Sequence, residues 1–69
     1  MNKIQKLRKR TGLSQSQFAK KFNIPVRTLQ NWEIDKSVSP EYIPSMLERI
    51  LNLEEELSAY RNKSNDGND

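Results

Sequence analysis

Residues 12–33 read GLSQSQFAKKFNIPVRTLQNWE, and this stretch decides the fold of the chain. Ser14 has the side chain of a helix N-cap, and Gln17 three residues later completes the pattern of a capping box. We therefore predict a helix over about 15–22. The apolar residues of this helix recur at helical spacing and should be buried: Phe18, Ala19 and Phe22.

A tight turn separates this helix from the next one. Asn23 tolerates the left-handed backbone that such a turn requires. Pro25 has no backbone N–H, but the first residues of a helix need no donor, so proline is compatible with a helix start. A helix over about 26–33 should follow, with Leu29 and Trp32 three residues apart on its buried face. Two short helices joined in this way predict a helix-turn-helix motif.

Further helices flank this motif on both sides. A first helix over about 2–10 should end at Gly12, which accepts the positive φ common at a helix C-terminus. Pro44 would clash inside a helix, so we expect a short turn at 40–43 before a long final helix. The predicted fold is all-α with four to five helices, comprising a domain over 1–53, a C-terminal helix over 44–60 and a disordered tail over 61–69.

Composition narrows the classes of function. The 69-residue chain has no cysteine and no histidine, so it lacks thiolate metal ligands and the commonest general base. Its apolar runs are too short to span a membrane. We therefore expect a cytoplasmic protein that is not an enzyme, holds no metal or other cofactor and contacts no membrane. Residues 1–36 carry nine Lys and Arg against two acidic residues, whereas residues 37–69 carry three against seven, and such a basic half favours nucleic acid as a partner.

The stretch LRKRTGLSQSQFAKKFNIPVRTLQNWE, residues 7–33, resembles the phage-repressor and Cro family of helix-turn-helix DNA-binding proteins. The likeness covers about residues 3–53 and rests on Leu7-Arg8, Gly12-Leu13-Ser14-Gln15, Phe18-Ala19, Ile24, Thr28-Leu29 and Trp32-Glu33. The pattern IPxRTxQNWE also resembles the recognition helix of small bacterial regulators. The resemblance implies a sequence-specific transcriptional regulator that binds double-stranded DNA, and we expect a repressor.

The chain departs from the family pattern in three places. Pro25 stands where the family usually has a Ser or Thr cap, and Ile34-Asp35 stand where a glycine usually follows the Trp-Glu pair. The sequence has no break after Leu51, so the family's fourth and fifth helices should be fused here.

The second helix of the motif should read the major groove, where each base pair presents a distinct pattern of donors, acceptors and methyl groups. The candidate base contacts near its N-terminus are Val26, Arg27, Gln30 and Asn31. Arg27 can donate two hydrogen bonds to guanine, and Gln30 or Asn31 can pair with adenine. The alternatives are a phosphate contact for Arg27, packing at the helix start for Val26 and a solvated surface position for Gln30.

Phosphate contacts would position this helix on the duplex. The candidates, near the free N–H groups that start helix 15–22 or among the basic residues, are Ser14, Gln15, Lys9, Arg10 and Lys36. Each of these Lys and Arg side chains could instead be a solvating charge. The resemblance implies that Gln15 touches phosphate and braces the recognition helix, and that Arg8 and Glu33 form a structural salt bridge.

Apolar residues recur along helix 44–60 at intervals of four and three: Met46, Ile50, Leu53, Leu57 and Tyr60. This heptad stripe predicts the seam of a parallel homodimer. Arg49 would face Glu54 of a second copy, and Glu56 would face Arg61, with attraction in both pairs. The alternative is that this helix closes the domain core and then continues as an exposed arm.

A second class of function stays open at this point. The C-terminal helix could bind and neutralise a protein partner, as in an antitoxin-like interaction protein. The acidic run Glu54-Glu55-Glu56 and the predicted disordered tail favour this alternative.

Overall fold

The computed structural model describes residues 2–68, and it describes side chains over residues 2–61. Four helices and no strand are present in this part of the chain: α1 (Lys3–Thr11), α2 (Gln15–Phe22), α3 (Val26–Glu33) and α4 (Tyr42–Asn68). The predicted all-α fold with a long C-terminal helix is confirmed.

Local capping explains where α1 and α2 begin and end. The Ser14 hydroxyl accepts a hydrogen bond from the backbone of Gln17, and the Gln17 side chain accepts one from the backbone of Ser14, so the capping box is complete. Gly12 ends α1 at φ 75° and Asn23 ends α2 at φ 58°, both in the left-handed region. These residues suit that backbone because glycine and asparagine enter it at the lowest cost.

The core lies where the four helices meet. Phe18 of α2 and Leu29 of α3 are the two fully buried large side chains. The buried apolar residues come from every helix: Ile4, Leu7, Phe18, Ala19, Leu29, Leu47 and Leu51. Leu13, Phe22, Ile24, Trp32 and Ile43 pack around them. Burial of each large apolar side chain contributes about 1.5–3 kcal/mol to the free energy of unfolding, so this small cluster holds α3 in place.

The start of α4 differs from the prediction. The helix begins at Tyr42, whereas the sequence predicted a turn over 40–43 and a start at Pro44. The predicted boundary is wrong because Pro44 lies in the first turn, where a helix needs no intrahelical donor. The backbone N–H of Ile43 donates to the carbonyl of Pro40 at 3.0 Å and begins the turn.

Beyond its start, α4 is a single helix that continues to Asn68. The family's usual fourth and fifth helices are therefore continuous in this chain. The sequence predicted a disordered tail from residue 61, whereas the helical backbone extends through most of that segment. Gly67 is the only glycine or proline after Pro44, so no other residue in this stretch strongly opposes helix formation.

Three ion pairs on the molecular surface join α4 to the first two helices. Their nitrogen to oxygen distances are 2.9–3.2 Å, and they are Lys3–Glu48, Arg10–Glu55 and Lys21–Glu54. Exposed pairs of this kind contribute little to stability. Apolar packing through Leu47 and Leu51 therefore contributes more to holding α4 on the domain.

Candidate nucleic-acid interface

The four predicted base contacts lie together on α3. Helical spacing places Val26, Arg27, Gln30 and Asn31 on neighbouring positions of one face, whereas Leu29 points from the other face into the core with no exposed surface. Val26, Arg27 and Gln30 are exposed, and Asn31 is half-buried. The structure therefore offers these side chains to a ligand outside the domain while the opposite face anchors the helix.

The start of α3 carries no side-chain cap. Pro25 occupies the N-cap position at φ −57° and makes no side-chain hydrogen bond to the helix. The carbonyl of Pro25 accepts from the backbone of Leu29 at 3.1 Å, which begins the helical hydrogen bonding. The departure of Pro25 from the family pattern thus changes the capping of α3 and leaves its predicted start at Val26 unchanged.

Gln15 connects the start of α2 to α3. Its Nε2 donates to Oε1 of Glu33 at 3.0 Å, and its Oε1 accepts from Nε2 of Gln30 at 3.4 Å. One end of the Gln15 amide is therefore held by a buried carboxylate, and the other end faces a candidate base-reading side chain. This geometry suits the bracing role that the family resemblance implies.

Arg8 and Glu33 form a bidentate ion pair at the end of α3. Arg8 Nε donates to Glu33 Oε2 at 2.7 Å, Nη2 donates to Oε1 at 3.0 Å, and Nη1 donates to the carbonyl of Leu13 at 3.1 Å. The exposed fraction of the side chain is 14% for Arg8 and 1% for Glu33. The pair is therefore shielded from water and joins α1 to α3, as the resemblance implies.

The charge state of Glu33 follows from these partners. Burial acts to raise the pKa of this carboxyl, but hydrogen bonds from Arg8 and Gln15 outweigh it, together with the charges of Arg8 and Lys9. The pKa of Glu33 therefore lies below its ordinary value. The hydrogen bond to Glu33 likewise raises the pKa of Arg8, against a smaller opposing effect of burial.

A further contact at the end of α3 was not predicted from the sequence. Asn2 caps α1, and its Nδ2 also donates to the carbonyls of Trp32 at 2.6 Å and Glu33 at 3.2 Å. The same Nδ2 lies 3.1 Å from Oδ1 of Asp35. An Asn before a helix signals a cap in the sequence, but nothing local identifies partners 30 or more residues away.

The segment after α3 begins with a left-handed residue. Asp35 adopts φ 60° close to where the family usually has a glycine, and aspartate is among the residues that tolerate this region. The carbonyl of Asn31 accepts from the backbone of Lys36 at 2.9 Å. Lys36 is exposed directly after this turn.

The predicted phosphate contacts do not all lie together. Gln15 lies beside α3 as described, the exposed Ser14 caps α2, and Lys9 and Lys36 are exposed. Arg10 instead points to α4, where its Nη2 donates to Asn52 Oδ1 at 2.6 Å and its Nε to Glu55 at 3.1 Å. The structure thus separates Arg10 from the other candidates, because carboxylate and amide partners on α4 hold its guanidinium.

The Arg10–Glu55 contact also affects ionisation. The hydrogen bond from Arg10 lowers the pKa of Glu55, with a smaller opposing effect of burial, and the same bond raises the pKa of Arg10. Both shifts follow from the contact, which favours the charged forms of the two side chains.

The heptad stripe of α4 faces away from the domain. Met46, Leu53, Leu57 and Tyr60 are exposed, with exposed fractions from 45% to 71%, and Ile50 is half-buried. The charged neighbours of this stripe are partly engaged already, since Glu54 pairs with Lys21 of the same chain.

The described residues hold neither a membrane span nor a metal cluster. No helix among them is long and apolar enough to cross a membrane. Within the same part of the chain, no group of three or more acidic side chains is arranged to hold a metal ion.

Comparison with known proteins agrees with this geometry. A family model described as helix-turn-helix matches residues 4–57, which is most of the chain. No curated protein and no solved structure matches the chain. The match confirms the resemblance drawn from the sequence, and the chain belongs to the phage-repressor and Cro type of helix-turn-helix proteins, a family of DNA-binding transcriptional regulators.

Proposed function

We propose that this protein is a repressor that reads a specific duplex sequence in the major groove with the exposed face of α3. The observation that carries this proposal is the asymmetry of α3. Val26, Arg27 and Gln30 are exposed on one face, while Leu29 on the other face is fully buried. Reading bases requires side chains that are free to contact the groove on a helix that does not move.

The chemistry of each candidate side chain on α3 indicates which base it would contact. The Arg27 guanidinium suits guanine, the amides of Gln30 and Asn31 suit adenine, and Val26 suits a thymine methyl group. Gln30 already donates one hydrogen to Gln15, which leaves a second donor and the carbonyl oxygen for a base edge.

Phosphate contacts would come from the surface around α3. We propose Lys9 and Lys36, with Gln15 and Ser14 at the start of α2, where backbone N–H groups and the helix dipole favour a phosphate. Arg10 is not part of this proposal because α4 holds its guanidinium. A regulator of this kind would act in the cytoplasm, where the bacterial regulators that it resembles meet their DNA.

Selection of binding sites from random duplex DNA tests the proposed function. We expect enrichment of one motif, with affinity for the selected duplex at least about 10³-fold above that for random duplex. Equal affinity for selected and random duplexes would contradict sequence-specific regulation.

We further propose that the protein is a homodimer through the exposed stripe of α4. The supporting observation is that four residues of the stripe are exposed among the side chains that the structure describes: Met46, Leu53, Leu57 and Tyr60. A twofold dimer would place two copies of α3 on half-sites about 34–36 Å apart, and two linked half-sites raise specificity far above one.

A charge placed in the stripe tests the dimer. Leu57→Lys lies beyond the buried residues of α4, so it should leave the fold intact, convert the dimer to a monomer and sharply weaken binding to a palindromic duplex. Ala59→Lys adds the same charge to an exposed position outside the stripe and should keep the dimer. Sedimentation with circular dichroism measures both properties. A wild-type protein that is monomeric even on a palindromic duplex would contradict the seam.

The antitoxin-like alternative has less support than it had from the sequence. Two of the three carboxylates in the acidic run already form ion pairs within the chain. These pairs are Lys21–Glu54 and Arg10–Glu55. The exposed stripe is then the surface that a protein partner would need. A monomeric wild-type protein in the sedimentation experiment would favour this alternative over the homodimer.

A further inference from the structure

A single amide side chain satisfies the ends of two helices. Asn2 Oδ1 accepts from the backbone of Gln5 at 2.9 Å at the start of α1, and Nδ2 donates to the carbonyls of Trp32 and Glu33 at the end of α3. The first N–H groups and the last carbonyls of a helix lack partners within it. The neighbours also fix the orientation of the amide, because exchanging its oxygen and nitrogen would place donor against donor and acceptor against acceptor.

The same amide reaches the segment that follows α3. Asn2 Nδ2 lies 3.1 Å from Oδ1 of Asp35, the residue at φ 60°. The backbone N–H of Asp35 donates to the carbonyl of Trp32, which is also the nearest acceptor of Asn2. Lys36 is the next residue after Asp35, so the contacts of Asn2 influence the position and direction of the Lys36 side chain.

Asn2 and Arg8 hold α3 at different points. Arg8 lies in the last turn of α1 and donates hydrogen bonds to the side chain of Glu33. Asn2 caps the start of α1 and donates to the backbone carbonyls of Trp32 and Glu33. Two anchors from opposite ends of one helix prevent rotation about either anchor alone.

We propose that Asn2 is a positioning residue for DNA binding, which sets the angle of α3 and the place of Lys36 on the phosphate backbone. This inference rests on the proposed function and adds a residue to it. Asn2 touches no DNA in this role, because its amide is occupied by Gln5, Trp32, Glu33 and Asp35.

Two substitutions separate the cap of α1 from the link to α3. Asn2→Ser and Asn2→Asp both keep an acceptor for the backbone of Gln5. Neither keeps the NH2 group, and Asn2→Asp also places a carboxylate against two carbonyls and Asp35. Both are measured on the duplex selected by the wild-type protein, at a temperature where circular dichroism shows native helix content.

We expect Asn2→Ser to weaken binding on the order of tenfold, the effect of one lost charge-assisted contact, and Asn2→Asp to weaken it further. The slope of log affinity against log salt should fall by about one unit in Asn2→Ser, because the Lys36 contact is lost. A residue that only stabilises the fold would leave this slope unchanged in protein that is fully folded.

A double-mutant cycle identifies the contact that Asn2 positions. Lys36→Ala should have little further effect in the Asn2→Ser background, whereas Lys9→Ala on α1 should keep its full effect. Wild-type affinity and salt slope in Asn2→Ser, or additive effects for Lys36 as for Lys9, would overturn the inference and leave Asn2 as a helix cap. A wild-type protein that selects no duplex would instead overturn the proposed function, and this inference with it.

Discussion

The two ends of α3 differ in almost every respect. At the C-terminal end, the Glu33 carboxylate receives hydrogen bonds from Arg8 and Gln15, and Asn2 donates to the last carbonyls. At the N-terminal end, Pro25 offers no side-chain cap and the first residues are exposed. One end is therefore fixed to the domain, and the other is free for a ligand.

This difference assigns the two ends of the eight-residue helix to different roles. The C-terminal end contributes to stability, and the N-terminal end is available to recognise DNA. Changes to the buried ion pair at the C-terminal end should act on the free energy of unfolding, because they leave a buried charge without a partner. Changes at the N-terminal end should leave the fold intact and act on the choice of DNA sequence.

The largest effect should follow Arg8→Ala. Removing the guanidinium leaves the Glu33 carboxylate buried and unpaired, and loss of one partner from such a pair costs about 3–5 kcal/mol. For a domain of this size, Tm should fall by roughly 4–8 °C per kcal/mol. Thermal unfolding followed by circular dichroism measures the change.

Arg10→Ala is the matched control for that prediction. Arg10 also pairs with a glutamate, but Glu55 is exposed and water can replace the lost partner. Its Tm should stay near that of the wild-type protein. A Tm for Arg8→Ala equal to that of Arg10→Ala would show that the end of α3 is not held by the buried pair.

A smaller effect should appear in the dependence of stability on pH. The pKa of Glu33 in the folded protein is lowered below the ordinary value of 4.5, so its contribution is fully present above that pH. The contribution is lost as the pH falls through the lowered pKa. We expect the Tm gap between the wild-type protein and Glu33→Gln to narrow on acidification from about pH 6 to about pH 3.

Glu54→Gln serves as the control for the acid titration, since Glu54 belongs to an exposed pair with Lys21. Its Tm should follow that of the wild-type protein over the same pH range. A gap for Glu33→Gln that stays constant from neutral to acid pH would mean that the charge of Glu33 does not stabilise the fold.

The smallest effect on stability should come from Arg27→Ala at the exposed end of α3. The exposed Arg27 side chain makes no hydrogen bond or ion pair within the described residues, and substitutions at such surface positions change the free energy of unfolding by about 0.5 kcal/mol or less. The Tm of this variant should match that of the wild-type protein within a few degrees. A large fall in Tm would show that the Arg27 side chain stabilises the domain and is not free to contact DNA.

Local signals explain what the sequence could predict. The capping box at Ser14 and the turn at Asn23 fix α2 and α3 within a few residues, and both helices have the predicted bounds. The start of α4 was missed because Pro44 is compatible with a first turn as well as with a preceding loop. Sequence alone does not distinguish these two positions of a proline.

Contacts between distant segments explain what the sequence could not predict. Arg10 is one of several basic residues near the end of α1, and only the packing of α4 brings Glu55 beside it. The link from Asn2 to the end of α3 likewise depends on how α1 lies against α3. The Arg8 and Glu33 pair was accessible only because the family resemblance supplied the partner.

The most direct test of the account is a selection from random duplex DNA carried out in parallel with the wild-type protein and Arg27→Ala. We expect one motif for the wild-type protein, and for the variant the same motif with the preference lost at one base pair of each half-site. The variant should also bind the wild-type motif about 1–3 kcal/mol more weakly, with affinity for random duplex nearly unchanged. Identical motifs from the two proteins, or an equal loss on selected and random duplexes, would contradict the claim that the exposed end of α3 reads the sequence.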